Sequence, residues 1–441
     1  MTMAEGRRLT ILGGGGFRVP LVYGQLLGPD SPISSVILYD VSATRLAAIS
    51  RVLTAQAAAV EHPPEISVTT DLSEALTGAD FVFSAIRVHG LAGRVIDERV
   101  ALAEGVLGQE TVGAGGIAYG LRTLPVAEAI ARRIALVAPG AWVINFTNPA
   151  GLVTEAMAAH LGDRVIGICD SPSALGRRVM RALGVSSARL SYAGLNHLGW
   201  LSAVRVDGED LLPRLLASGE ALSSFEEGRL FGAERLRALG AVPNEYLHYY
   251  YETPSLVRAE QGAAETRGEF LLRQQDECYA ALARTADPLA TWTATLRQRD
   301  ATYMALEGLG ERDDAEGGGY EAVALALMLA IATGTPTDLI LNVRNRGTLD
   351  VLDDAAVVEV PCRVDGSGAH PYPGASIPEH GVGLVKRIKG VERGVLEAAS
   401  TGSRAVAARS MACHPLVDSV PIARRLIAEY QRLLPELGYL R

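Results

Sequence analysis

The chain is poor in the features that mark several protein classes. It has 441 residues but only four cysteines, Cys169, Cys278, Cys362 and Cys413, and they show no framework spacing. That argues against a disulfide-stapled secreted fold and for a reducing cytoplasm without disulfides. No run of roughly 18 uncharged apolar residues occurs, so no membrane span is expected. The opening MTMAEGRRLTILGGGG lacks an apolar signal segment and goes straight into a strand. Long basic runs are missing and the net charge is -9, which disfavours nucleic acid as a partner. Internal repeats and low-complexity linkers are absent too. What remains is ordinary globular composition, 48% apolar and 21% charged, in a chain long enough for two domains.

The pattern along the chain changes near residue 195. Before it, strands alternate with helices. RRLTILGGGGF reads as a buried strand and a glycine turn, PLVYGQLL as a helix with Pro20 in its first turn, and ISSVILYDV as a strand ending at Asp40. Helix and strand continue to alternate through INFTNPAG and GICDSP. This order predicts an α/β fold, a Rossmann-type doubly wound parallel sheet over residues 1-195, with ligands at the carboxyl ends of its strands. Residues 196-441 read as an α+β domain for substrate and oligomerisation. WLSAVRVDGEDLL suggests antiparallel strands, EFLLRQQDECYAALART and GGGYEAVALALMLAIATG helices, and the late LILNVRNRGTLDVLDDAAVVEVPCRVDGSGAH strands and turns.

The turn GGGGFRVP departs from a clean G-x-G-x-x-G, because Arg18 or Val19 stands where the third glycine belongs. Its context is more specific. It follows a strand, precedes a helix, and an acid, Asp40, ends the next strand. Gly13, Gly14, Gly15, Phe17 and Arg18 would bring backbone amides to a pyrophosphate at a helix N-terminus. Asp40 would accept from a ribose hydroxyl, favouring NAD over NADP. Three later loops carry polar groups where strands should end: Asn145 and Asn148, Cys169 and Asp170, and Asn196 and His197. A thiolate and an imidazole there would share a divalent ion with open positions for substrate oxygens. From residue types alone, Cys169 reads equally as a small buried hydrophobe, and His197 as a hydrogen-bonded structural histidine.

The segments GQETVGAGG, INFTNPAG, GICDSP, GLNHLGW and PNEYLHYYY occur in the order seen in glycoside hydrolase family 4, and the resemblance runs from ILGGGG to SMACHPLV. It implies a fold similar to lactate and malate dehydrogenases, NAD and a divalent metal, most often manganese, as cofactors, and cleavage of glycosides of sugars or sugar 6-phosphates. By the same resemblance Cys169 and His197 are the metal ligands, Asp170 faces the sugar, and Tyr246 is the base, with Tyr249, Tyr250 and Tyr251 as competitors. Arg87, Glu110, Asn148, Asp170 and Asn196 are candidate substrate-binding residues. Gln109, Glu110 and Thr111 would open a glycine-rich loop over the ligands, and Arg344 and Asn345 resemble a late substrate loop. His89, His160 and His414 read as non-catalytic.

The implied chemistry is oxidation at the sugar's C3 by NAD, removal of the C2 proton, elimination of the aglycone, water addition and re-reduction, outside the two-carboxylate scheme. The leading expectation is a 6-phospho-β-glucosidase, cytoplasmic, working on a small glycoside as a homodimer or homotetramer. An aspartate after the cysteine, as in Asp170, also occurs in several α-specific members, which makes an α-glycosidase the alternative. An NAD-dependent 2-hydroxy acid dehydrogenase is more remote, and a non-catalytic NAD-binding protein more remote still.

Overall fold

The computed structural model describes residues 6–302 and 319–441. The sequence readings on residues 1–5, and on Gly317 and Gly318 of the GGGYEAVALALMLAIATG stretch, lie outside the described residues. In chain order the strands are β1 (Arg7–Leu12), β2 (Ile33–Tyr39), β3 (Glu65–Thr69), β4 (Phe81–Ser84), β5 (Trp142–Asn145), β6 (Val165–Gly167), β7 (Arg189–Leu195), β8 (Leu198–Val206), β9 (Glu209–Asp210), β10 (Val242–Pro243), β11 (Thr337–Arg344), β12 (Val357–Asp365) and β13 (Gly368–Pro371). They form one sheet in the order β10-β8-β7-β12-β11-β6-β5-β4-β1-β2-β3, with β9 on β8 and β13 on β12.

The half from β3 to β6 is parallel, in the doubly wound order 3-2-1-4-5-6. Its central strands are near-continuous apolar runs: the TIL of β1 and all of FVFS in β4 are buried, as expected of strands covered on both faces. The other half is antiparallel. It joins the first through a single pairing of β11 with β6, Asn342 opposite Gly167. Residue 195, the expected domain boundary, ends β7, which turns directly into β8, so one sheet passes through this point. The division into two units is therefore kept as a proposal, for separate expression of the halves to test.

Register places the site. A straight row crosses the sheet: Leu12, Ser84, Asn145, Gly167, Asn342, Glu359, Gly194 and Gly199 are each paired with the next. Leu12, Ser84, Asn145 and Gly167 are the last residues of their strands. The chain therefore leaves the sheet on one edge at Gly13, Ala85, Phe146 and Ile168, and the Asn196–His197 turn of the β7–β8 hairpin opens there too.

Helices cover the sheet. The carboxyl-terminal helices Glu379–Thr401, Arg404–Cys413 and Val420–Leu433 bury Val391, Val395, Met411, Leu426 and Tyr430 against Ile117, Leu121 and Leu124 of the helix Gly113–Val137. That helix starts earlier than GQETVGAGG suggests: Gly113 to Gly116, expected in a loop, form its first turn. Their smallness serves close approach, since a Cβ on Gly115 would stand 2.2 Å from Gln109 O and one on Gly116 2.6 Å from Thr111 O. Among the described residues no helix is long and apolar enough to cross a membrane. All four cysteines are free, and only Cys413 is exposed.

Candidate active site

The strand ends enclose a cavity of about 730 Å³. Its floor at one end is the glycine turn. Gly13 has φ +80°, and a Cβ there would lie 2.5 Å from Ala85 O. Gly13, Gly16, Phe17, Arg18 and Asp40 line the cavity. Gly14 and Gly15 face away from it: a Cβ on Gly14 would lie 2.7 Å from Leu38 Cβ, and on Gly15 2.7 Å from Arg45 Cβ. Those two glycines serve packing, while Gly13 and Gly16 keep the wall low enough for a dinucleotide to approach. Asp40 sets the shape of the turn, accepting from Gly15 N at 3.1 Å and Ser42 N at 2.9 Å. The Arg18 guanidinium packs over the Tyr320 ring, 4.6 Å from its centroid.

Beyond the turn, Asn148, Cys169, Asp170, Asn196, His197, Tyr246 and Tyr249 share the same cavity. Asn148 Oδ1 is buried and accepts no hydrogen bond, an acceptor that a ligand hydroxyl or amide would satisfy. Cys169 and His197 are both about 5% exposed. His197 sits at φ +62° in the hairpin turn, and its ring lies face to face with Tyr246, centroids 3.6 Å apart and planes 3° apart. Burial pulls the imidazole down to about 4 against the opposing pull of Asp170 and Glu110, so it is neutral and able to coordinate at neutral pH. Burial, reinforced by Glu359, Asp170 and Glu245, pushes the Cys169 thiol well up.

Among the described residues, no three His, Cys, Asp or Glu side chains stand close enough to hold a metal by themselves. One thiol and one neutral imidazole on the same cavity wall would suit a catalytic divalent ion completed by water or substrate oxygens, and would not suit a closed structural one.

The tyrosine cluster is resolved by geometry. Tyr251 Oη accepts from Trp200 Nε1 at 3.2 Å, and Tyr250 packs beside His414 with burial raising its phenol. Neither lines the cavity, whereas Tyr246 and Tyr249 do. Arg87 and Glu110 line it as an ion pair at 2.5 Å, and Glu110 also takes Arg94 at 2.6 Å.

Residues 8–185 match the model of the family 4 glycosyl hydrolases, and residues 192–417 match the family 4 glycosyl hydrolase C-terminal domain. The chain belongs to glycoside hydrolase family 4. It is 32% identical to a probable 6-phospho-beta-glucosidase of Bacillus subtilis (strain 168), over 97% of this chain and 96% of that one. Among solved structures it resembles the 6-phospho-beta-glucosidase from Thermotoga maritima with NAD and glucose-6-phosphate, at 25% identity and TM-score 0.84, covering 99% of this chain and 100% of that one. A 6-phospho-alpha-glucosidase from gut microorganisms in complex with NAD and Mn2+ is similar too, at 25% identity and TM-score 0.80, covering 97% and 98%.

Within this family 4 fold, several site residues were not foreseen from sequence. Arg94, Arg267 and Arg299 line the cavity with Arg18. Burial first, then Arg18, Arg267 and Arg94, pull Arg299 down to about 9 against the opposing pull of Asp300. No ion pair or side-chain hydrogen bond engages the Arg299 guanidinium among the described residues. No local motif marks these positions, which come together from three distant helical segments. Glu359 is the second surprise, a carboxylate with 0% exposure under the Cys169 and His197 loops. Burial raises it to about 7 although Asn342, Asn196 and Tyr192 all donate to it.

Arg344 lies 3.8 Å from Asp163, and Asn345 donates to Leu349 O, Leu352 O and Asp353 O of its own loop; neither lines the cavity. His89 does reach the cavity wall, at φ +63° with Nδ1 2.9 Å from Glu436. His160 is exposed, and His414 is buried, accepting from Gly113 N at 3.3 Å.

Proposed function

We propose that this family 4 enzyme hydrolyses 6-phospho-β-glucosides with NAD and a divalent metal, most often manganese. The observation that carries the phosphorylated substrate is Arg299: a cation on the wall of the cavity, crowded by other arginines and without an ion-pair partner among the described residues, is set up for a ligand that brings negative charge. The relatives named for 6-phosphoglucosides agree with it.

When bound, NAD would supply reversible hydride transfer at the sugar's C3 and a divalent ion would supply the Lewis acidity that makes the neighbouring C2 proton acidic. Gly13 and Gly16 would leave room for the dinucleotide's phosphates, and Asp40 would face its ribose. Cys169 and His197 would hold the ion. Tyr246, whose ring lies against His197, would take the C2 proton on its Oη. Asp170 gives a proton to the oxygen leaving C1, Asn148 and Asn196 hold sugar hydroxyls, and Arg299 with Arg94 and Arg267 grips the 6-phosphate. Arg87 and Glu110, locked to each other, stiffen the wall. Water then adds its hydroxyl at C1 while a proton returns to C2, and the hydride returns to C3, so the sugar ends with no net change of oxidation state.

A second reading rests on Asp170. A carboxylic acid on the cavity wall after the cysteine suits an α-linked leaving group as well, and the 6-phospho-alpha-glucosidase neighbour is similar over the whole chain. One panel separates the readings: nitrophenyl α- and β-glucosides, with and without 6-phosphate, assayed with NAD and manganese. Fastest release from the 6-phospho-β-glucoside is expected. Release from the α-phosphoglucoside alone would install the second reading, and NADH growth matching substrate loss would install a dehydrogenase. A homo-oligomer in a reducing cytoplasm completes the proposal, with light scattering as the check on assembly.

A further inference from the structure

The buried groups behind the cavity form one directional hydrogen-bond chain. Asn244 Oδ1 accepts from Tyr246 N at 3.0 Å. That fixes the amide, so Asn244 Nδ2 faces Tyr192 and donates to its oxygen at 3.4 Å. The Tyr192 hydroxyl, accepting there, sends its own proton to Glu359 Oε2 at 3.0 Å. From the other side, Asn196 Nδ2 donates to Glu359 Oε1 at 3.3 Å and Asn342 Nδ2 to the same oxygen at 2.9 Å. Glu359, Tyr192, Asn244 and Asn342 are each at most 1% exposed, so bulk water does not reach them to correct a mismatch.

The backbone is shaped around this chain. Asn342, Glu359 and Gly194 are consecutive partners in the row across the sheet. A Cβ on Gly199 would lie 2.3 Å from the Tyr192 hydroxyl, and one on Gly167 2.8 Å from Asn342 Cβ. Three donors converge on residue 359, two of them on Oε1 and the Tyr192 hydroxyl on Oε2. An amide with nitrogen in the Oε2 place would donate to the Tyr192 oxygen and force that hydroxyl to turn its own proton away.

We propose that Glu359 is a positioning residue, an all-acceptor hub that orients Asn196 and Asn244 and so sets the face-to-face spacing of His197 and Tyr246. One arm runs through Asn196 to the adjacent His197, the other through Tyr192 and Asn244 to the backbone of Tyr246. The inference rests on the proposed metal site, and it assigns the two arms different readouts. Disturbing the hub moves both metal affinity and turnover. Disturbing the tyrosine arm moves turnover alone.

The experiment titrates the full-length metal-free enzyme with Mn2+, following free ion by electron paramagnetic resonance, and measures kcat on the preferred phosphoglucoside. Glu359→Gln, equal in size, is expected to weaken Mn2+ binding roughly tenfold to a hundredfold, the usual cost of losing a partner behind a ligand, and to lower kcat. Tyr192→Phe keeps the ring packing and is expected to lower kcat about tenfold or more with Mn2+ affinity within about twofold of wild type. It decides the matter if Glu359→Gln does not fold. A Glu359→Gln enzyme that melts earlier but keeps wild-type Mn2+ affinity and kcat overturns the proposal, since a strap between sheet halves would behave so. Wild-type kcat in Tyr192→Phe overturns it as well. Cys169→Ser is the separate control: if it binds Mn2+ like wild type, the metal reading itself fails.

Discussion

Arg122 and Arg299 are both withdrawn from bulk water, yet they live differently. Arg122, on the helix Gly113–Val137, makes two 2.7 Å bonds to Asp97, donates Nε to Val88 O at 3.1 Å and covers the Tyr119 ring at 4.7 Å. Each of its three nitrogens donates to a partner within the chain. Arg299, at the end of the helix Pro288–Asp300, makes no ion pair among the described residues and feels three other arginines, with Asp300 pulling the other way. A buried charge costs several kcal/mol unless something compensates it. For Arg122 the compensation is built in and the residue is structure. For Arg299 we propose that it arrives with a ligand.

This contrast can be broken in four places. Arg122→Leu strands Asp97 in the core and should cost about 3–5 kcal/mol, read as a lower midpoint in urea. Slightly smaller is a pH effect at Glu110. Burial alone would raise this carboxyl, but Arg87 and Arg94 override it and hold it at about 2. A depressed folded-state pKa gives stability that is present above the unfolded value near 4.3 and is lost as pH falls toward 2, about 3 kcal/mol in all. Glu110→Gln should remove that part of the acid dependence, measured by denaturation between pH 5 and 2. Next, Arg299→Met should leave stability unchanged or higher. It should raise KM for the 6-phosphorylated substrate about a hundredfold, roughly 2–3 kcal/mol, with no change on the sugar lacking phosphate. An equal loss on both substrates would mean Arg299 is structural. Least of all, Arg432→Ala, which removes a 65% exposed pair with Glu429, should change stability by less than about 0.5 kcal/mol and leave KM alone.

The parallel half was readable from sequence because its function is local. A strand, a glycine turn and an acid at the next strand end lie within one stretch, and the loops after β5 and β6 follow their strands at once. The convergence of Cys169, Asp170, Asn148, Asn196 and His197 on one cavity was legible for the same reason: each lies within three residues of a strand end, in loops the sheet order brings together. Arg299 and Glu359 were not legible. Arg299 lies about two hundred residues from Arg94 and carries no spacing signal, and Glu359 sits in the apolar run VVEVPC, where nothing local announces three donors. The GAGG segment misled because glycines that let a loop pack on a helix look like glycines that free a loop. Arg344 and Asn345 read as a substrate loop because a turn that binds itself has the composition of one that binds sugar.

The central claim is that Tyr246 acts on the sugar's C2 and that cleavage is an elimination. Hydrolysis of the preferred phosphoglucoside in heavy water, followed by proton magnetic resonance of the released sugar phosphate, tests it directly. Deuterium at C2 is the predicted result, absent in Tyr246→Phe along with most of the activity. Full protium at C2 with normal turnover would contradict the mechanism and return this site to ordinary displacement chemistry.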